Sequence, residues 1–156
     1  MTIRPYQSTD FDACIALFKS NMPQFFLPEE LPDYTRQLEK YKDGMPYKGE
    51  STEAYFIVEE DGAMVACGGV YMEMHNNLAG MVWGMVDNGL HRKGIGRQFL
   101  LYRIDYIREH CPACKIRLDT TQHSRPFFEK YGFEVVKYTE NGYGEGMHRY
   151  DMVLGG

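Results

Sequence analysis

The segment His91-Arg92-Lys93-Gly94-Ile95-Gly96-Arg97 has the residue types and spacing to do chemistry. Two glycines two apart, flanked by cations and opening a helix, suit a bound phosphate. The backbone can come close where no Cβ intervenes. The N–H groups of a first helical turn have no partner inside the helix, and the helix dipole favours negative charge there. A Rossmann loop would need a third glycine near position 99, where Phe99 stands. A Walker loop would need Gly-Lys-Ser/Thr, and that pattern is missing.

Other chemistry-bearing residues are scattered. Glu73 lies on a long strand, His123 at the start of a short helix, and Tyr138 and Tyr143 flank the final hairpin. Each could assist a proton transfer. Each also has an ordinary reading, as a solvated strand carboxylate, an exposed loop imidazole or half-buried packing rings. Cys111-Pro112-Ala113-Cys114 looks like a redox or zinc motif. It follows a helix, however, whereas a thiol is activated at a helix start. No second ligand pair accompanies it, and the five histidines have no metal spacing, so no metal is expected. Between Asn21 and Gly49, Phe25, Phe26, Tyr34, Tyr41 and Tyr47 mix with Glu29, Glu30 and Asp33. Aromatics with carboxylates suit a cationic amine; a solvated loop with packing aromatics has the same composition.

The elements that must position these residues are legible from periodicity. Thr2–Tyr6 reads as a strand. A helix capped by Ser8 or Thr9 runs to about Ser20, and Asn21 and Pro23 end it. A second helix runs from Pro32 or Asp33 to Tyr41, and residues 43–49 form a loop. Ala54–Glu59, Met64–Met74 and Ala79–Val86 read as three strands of an antiparallel meander, with Asp61-Gly62 as the first hairpin signal. A helix from about Gly94 to His110, stopped by Pro112, carries Phe99, Leu100, Tyr102, Arg103, Tyr106 and Ile107 on its inner side. Lys115–Asp119 is a strand that closes a βαβ unit, so it is expected parallel to the strand before the loop. Arg125–Tyr131 is a short helix, Gly132 ends it, and Phe133–Tyr138 and Met147–Leu154 are the last strands, joined by a turn at 141–146.

The whole is expected to be one domain, residues 1–156, of α+β class. Its composition, 44% hydrophobic and 25% charged, supports a buried core. The net charge of −5 and a pI near 5.5 argue against nucleic-acid or anionic-membrane binding. They also make the cations at Arg92, Lys93 and Arg97 more conspicuous. No charged-then-apolar leader opens the sequence and no window is long and apolar enough to span a bilayer, so a soluble, cytoplasmic protein is expected. Four cysteines are too few and too scattered for a disulfide framework.

Val86-Asp87-Asn88-Gly89-Leu90-His91-Arg92-Lys93-Gly94-Ile95-Gly96 resembles the acetyl-CoA loop of the GNAT N-acetyltransferases, written Gln/Arg-x-x-Gly-x-Gly/Ala. Phe127-Phe128-Glu129-Lys130-Tyr131-Gly132-Phe133 resembles the later family segment Phe-Tyr-x-x-x-Gly-Phe, and the element order matches from end to end. The resemblance implies the GNAT fold, a mostly antiparallel twisted sheet of about seven strands with four helices. It also implies acetyl-CoA as co-substrate, bound by Met85, Val86, His91, Arg92, Lys93, Gly94, Ile95, Gly96, Arg97, Phe127 and Phe128. A β-bulge near Gly84, Met85 and Val86 would part that strand from the next and leave its polar groups free for the pantetheine arm, with a backbone N–H near Val86 as oxyanion donor. The 21–49 region would cover the acceptor.

Three positions depart from the pattern. His91 stands for Gln or Arg, in a loop that acts mainly through its backbone. Phe128 stands where many members have the tyrosine proposed as general acid. Gly80 stands where histone-acetylating members have a glutamate base. Proximity alone can supply roughly 7–11 kcal/mol of the barrier, so a strong acid or base is not essential. The expected activity is N-acetylation of a small-molecule primary amine by direct attack in a ternary complex, with Glu73, His123 and Tyr138 as candidates for the proton step and a monomer or homodimer as the assembly. The alternatives are a protein or peptide acetyltransferase and a non-catalytic acyl-CoA-binding sensor.

Overall fold

The computed structural model describes residues 1–41, 45–90 and 93–155. In chain order the elements are β1 (Thr2–Pro5), α1 (Phe11–Ser20), α2 (Leu31–Lys40), β2 (Tyr47–Lys48), β3 (Thr52–Glu60), β4 (Ala63–Glu73), β5 (Leu78–Val86), α3 (Ile95–His110), β6 (Lys115–Thr120), α4 (Arg125–Lys130), β7 (Phe133–Gly144) and β8 (Met147–Leu154). The strands form one sheet in the order β1-β3-β4-β5-β6-β8-β7, with β2 also on β3. Every pairing is antiparallel except β5 with β6. This is the α+β architecture expected, with β2 added inside the segment read as a loop.

β3 shows how the sheet divides two cores. Successive side chains point to opposite faces. Ala54, Phe56 and Val58 pack with Phe99, Leu100, Ile104 and Ile107 of α3. Tyr55 and Ile57 pack with Cys14, Leu17 and Phe18 of α1 and Tyr34 and Leu38 of α2. Asp61 and Gly62 take φ of 52° and 81° in the β3–β4 hairpin, the left-handed pair that a two-residue turn requires.

Several expected boundaries shift for identifiable reasons. Neither Ser8 nor Thr9 caps the first helix. A 3₁₀ turn at Ser8–Asp10 precedes it, and Asp10 accepts from the Gln7 N–H at 2.8 Å and from both terminal nitrogens of Arg4 at 2.8 and 2.9 Å. The last hairpin is tighter than expected. β7 continues to Gly144 through an irregular register after Thr139, so only Glu145 and Gly146 turn the chain. Cys111 and Cys114 form a disulfide, with the Cys114 N–H donating to the Cys111 carbonyl at 3.0 Å and Cα atoms 5.4 Å apart. It is a local clip on the turn after α3, which a search for a chain-wide framework does not anticipate. Among the described residues, no helix is long and apolar enough to cross a membrane.

Candidate functional site

β5 and β6 pair only from Leu78/Lys115 to Gly80/Arg117. Beyond that point β6 turns to β8 and β5 stays with β4, so the two strands splay. A cleft of about 1100 Å³ opens there. Its walls come from β5 (Met81–Val86), the start of α3, α4, the end of β6, the 21–33 segment and the final hairpin.

The expected bulge is present but faces the other neighbour. Cys67 pairs with Met85 and Gly69 with Val82, so Trp83 and Gly84 together oppose Gly68 of β4. Trp83 takes φ 46°, which costs energy for any bulky residue. Its carbonyl accepts from the Tyr55 hydroxyl at 2.8 Å, and its ring packs on Phe26 and Tyr34 at 6.2 and 5.1 Å. The strained residue is thus held from the α1–α2 side. Nor are all the polar groups at the strand end free. The Val86 carbonyl accepts from Asn21 Nδ2 at 3.0 Å, and Val86 stands opposite Ala66 in the ladder.

At one end of the cleft, Gly94 caps α3 with φ 82° and nothing within 4 Å of where a Cβ would stand. The first-turn N–H groups that follow have no acceptor within the helix. Gly96 faces Phe127, whose ring is 3.5 Å from an added Cβ, with a Val86 methyl at 3.8 Å. Gly94, Gly96, Arg97, Met85, Val86, Phe127 and Phe128 all line the cleft. Lys93 is exposed beside it and Ile95 is buried in the α3 core. His91 and Arg92 lie outside the described residues.

Another part of the lining has a different chemistry. Glu30, Asp33 and Asp119 line it with Phe25, Phe26, Trp83, Tyr143 and Arg149. Burial pushes the Glu30 carboxyl above the usual carboxylate range; the Leu27 N–H donating to it at 2.9 Å opposes this, and Asp119, Asp33 and Glu29 add to the rise. Tyr143 donates a short hydrogen bond to Asp119. Burial and that carboxylate hold the Tyr143 phenol protonated well above its ordinary range. Arg149 bonds Asp151 at 3.0 Å and approaches Asp119 at 3.7 Å.

The three side chains expected to serve proton transfer fall in different places. His123 lines the cleft, its ring edge-on to Phe25 at 6.0 Å. Glu73 is at the far end of β4, opposite Leu78, and Tyr138 is on β7 against Tyr150 and His148; neither lines the cleft. A Cβ at Gly80 would lie 2.4 Å from the Tyr71 ring, so no glutamate fits there without moving that tyrosine. Residues not singled out from sequence are Asp119, Arg149 and Arg103. Arg103 had a visible signal, a cation on the apolar stripe of a helix. Asp119 and Arg149 meet only through strand pairing. No group of three or more His, Cys, Asp or Glu is placed to hold a metal among the described residues.

Comparison with known proteins agrees with this geometry. The sequence matches the Acetyltransferase (GNAT) family over residues 14–133. No curated protein matches the chain. Among solved structures, a GNAT-family protein from Desulfovibrio desulfuricans is 17% identical, with 98% of this chain and 97% of that one covered and a TM-score of 0.79. The ribosomal-protein-S18-alanine N-acetyltransferase of Escherichia coli is 18% identical over 98% and 92%, with a TM-score of 0.73. A variant of spermidine N-acetyltransferase from Vibrio cholerae is 16% identical over 99% and 94%, with a TM-score of 0.71.

Proposed function

Since this chain belongs to the GNAT family of acetyltransferases, we propose that it moves the acetyl group of acetyl-CoA to a cationic primary amine, a small molecule, within a ternary complex. The observation that carries the proposal is the polarity of a single cleft. One end offers open helix N–H groups, glycines and Arg97; the other offers Glu30, Asp33 and Asp119 among aromatic rings. An anionic cofactor and a cationic acceptor would enter from opposite ends and meet at the Trp83–Gly84 bulge.

Acetyl-CoA supplies the activated thioester. Gly94 to Arg97 bind its pyrophosphate through backbone N–H groups and the α3 dipole. Met85 and Val86 line the path of the pantetheine arm, and Phe127 walls it. Glu30, Asp33 and Asp119 hold the amine, while Phe25, Phe26 and Trp83 exclude water around it. An amine must shed a proton before it attacks. Its nitrogen then bonds the acyl carbon, the carbon–sulfur bond breaks, and the sulfur leaves as the thiol. His123 and Glu30 are the cleft groups that can take the proton. Phe128 cannot return one to the sulfur. Tyr131 is the hydroxyl-bearing residue of the same segment that lines the cleft.

Thermal unfolding with and without acetyl-CoA tests the donor half. Ligand at 100 times Kd should add roughly 2.7 kcal/mol, and no change at millimolar ligand would sink the proposal. A panel of di- and polyamines, amino acids and a peptide N-terminus, followed by thiol release, tests the acceptor. Binding without turnover on any of them would instead identify a sensor.

A further inference from the structure

Arg103 sits inside the protein and, among the described residues, has no carboxylate partner. It is 6% exposed, on the α3 face that carries Phe99 and Ile107 into the core. Its guanidinium lies 4.4 Å from the centre of the Phe99 ring and reaches the sheet where β4 and β5 bulge apart. A Cβ at Gly84 would be 2.8 Å from one terminal nitrogen and 3.0 Å from the other, and a Cβ at Gly68 would be 3.1 Å from the first. Two glycines on adjacent strands therefore make the room it occupies. Its Nε has no hydrogen-bond partner, and none of the ion pairs among the described residues includes it.

A buried guanidinium without a partner is costly, and an apolar side chain of similar size would avoid that cost. The acidic group beside Arg103 is the Cys67 thiol, which burial raises but hydrogen bonds from Cys14, Tyr34 and Tyr55 and the Arg103 charge bring below its usual range. The Tyr55 hydroxyl donates to the Trp83 carbonyl, and the Cys67 thiol is bonded by Tyr34 and Tyr55. Burial pulls the guanidinium down to about 10, with Tyr55 and Cys67 opposing, so it is still a cation at neutral pH. None of the cleft carboxylates bonds it: Glu30 accepts from Leu27, Asp33 from Arg36 and Asp119 from Tyr143. Yet Arg103 lines the cleft, beside Gly84 and Phe99.

We infer that Arg103 is a carboxylate-binding subsite at the floor of the cleft, completed only when a substrate brings the anion. The planar fork of a guanidinium matches a carboxylate in a bidentate pair. The position sets Arg103 apart from the N–H groups that would hold the cofactor's pyrophosphate. Arg103 is eight residues into α3 from Ile95, about 12 Å along the axis from the phosphate-binding end. The carboxylate can come from the free acid end of a dicarboxylic acyl-CoA, such as a malonyl or succinyl donor, or from an amino-acid acceptor. The inference rests on the acyl-CoA reading above and adds a substrate class to it.

The test uses the full chain and two matched pairs of ligands. Calorimetry compares malonyl- and succinyl-CoA with acetyl-CoA and free CoA. In parallel, KM from thiol release with acetyl-CoA compares an amino acid with its decarboxylated amine, where the acyl–nitrogen bond forms as the thiol is freed. At least one pair should show a tenfold or greater preference for the carboxylate form. Arg103→Met should erase that preference while leaving free CoA affinity within twofold, and Arg103→Lys should keep part of it. Ligand-free Arg103→Met should melt no lower than the wild type, because it removes a buried charge that has no carboxylate partner. Equal affinity within both pairs, with free CoA still bound, would overturn the inference alone. So would an Arg103→Met protein that melts lower with an unchanged preference, since that is the signature of a packing role. Failure of every CoA compound to bind would overturn the donor reading, and this inference with it.

Discussion

The two ends of the cleft are built by different means. The α3 end uses backbone: an open helix start, two glycines and a strand edge, all within residues 84–97 and supplemented by Phe127. The 21–33 end uses side chains brought from four distant stretches, Glu30 and Asp33, Trp83, Asp119, and Tyr143 with Arg149. A backbone site recognises a constant feature such as a pyrophosphate and tolerates most changes of side chain, including His91 for Gln or Arg. A side-chain site can be retuned one residue at a time. The contrast predicts that changes at the first end affect donor binding for every acceptor, while changes at the second redistribute acceptors and leave donor affinity alone.

The largest effect should come from Gly94→Val. Gly94 stands at φ 82°, where a β-branched residue is badly strained. The first turn must reorganise, and most of the roughly 2.7 kcal/mol of stabilisation by acetyl-CoA at 100 times Kd should disappear. Thermal unfolding of the variant with and without ligand measures this directly. A full ligand shift in Gly94→Val would mean that the helix start does not hold the donor, and the contrast between the two ends would fall.

Asp119→Asn comes next. It keeps the shape and the Tyr143 contact and removes one charge from the acceptor end. Charge-assisted hydrogen bonds contribute about 1.5–3 kcal/mol, so kcat/KM for a cationic amine should drop about 10–100-fold. The acetyl-CoA Kd should stay within about twofold. Equal losses for a cationic and a neutral amine would show that Asp119 does not read acceptor charge.

How much of this was legible in the sequence follows the same divide. The α3 end is local, so the spacing of Gly94 and Gly96 after an apolar strand was enough to locate it. The element order was legible because periodicity and Pro/Gly punctuation are also local. The acceptor end depends on pairings such as Asp119 with Asp151 and Thr139 with Arg149. Sequence order gives no measure of which residues those registers bring together. Hence Asp119 and Arg149 went unnoticed, while Glu73 and Tyr138, plausible by type, sit on parts of the sheet that do not reach the cleft. The bulge was expected from resemblance, but which neighbour it faced depended on the two-against-one pairing at Gly68.

Asp10 offers a smaller effect with a defined pH dependence. It joins Arg4 of β1 to the start of α1. The Arg4 hydrogen bond holds the Asp10 carboxyl below the usual carboxylate range, against its burial and with help from the Gln7 N–H. A depressed acid binds its proton more weakly folded than unfolded, so its stabilisation is complete above the unfolded pKa of about 3.9 and is lost as pH falls through the folded value. Asp10→Asn should cost about 1–2 kcal/mol at pH 7. Its melting curve should converge on that of the wild type as pH falls through the folded value. The acetyl-CoA shift should be unchanged, because Asp10 lies at the opposite end of α1 from Asn21, which bonds the Val86 carbonyl. A constant difference across the pH range would show that Asp10 stabilises through shape rather than charge.

Gly96→Ala should have the smallest effect, and it discriminates between two accounts of the α3 end. If both glycines serve the backbone's conformation, alanine at either should harm binding alike. The geometry separates them. Gly96 lies inside α3, where alanine is the better helix former by about 0.8–1 kcal/mol, and the added Cβ would meet Phe127 at 3.5 Å and Val86 at 3.8 Å, both ordinary contacts. Gly96→Ala should therefore leave acetyl-CoA affinity within about threefold, a change under about 0.7 kcal/mol, and raise the melting temperature slightly. A loss as large as that of Gly94→Val would mean that the ligand itself lies against the Gly96 Cα, so that close approach, and not backbone conformation alone, selects glycine there.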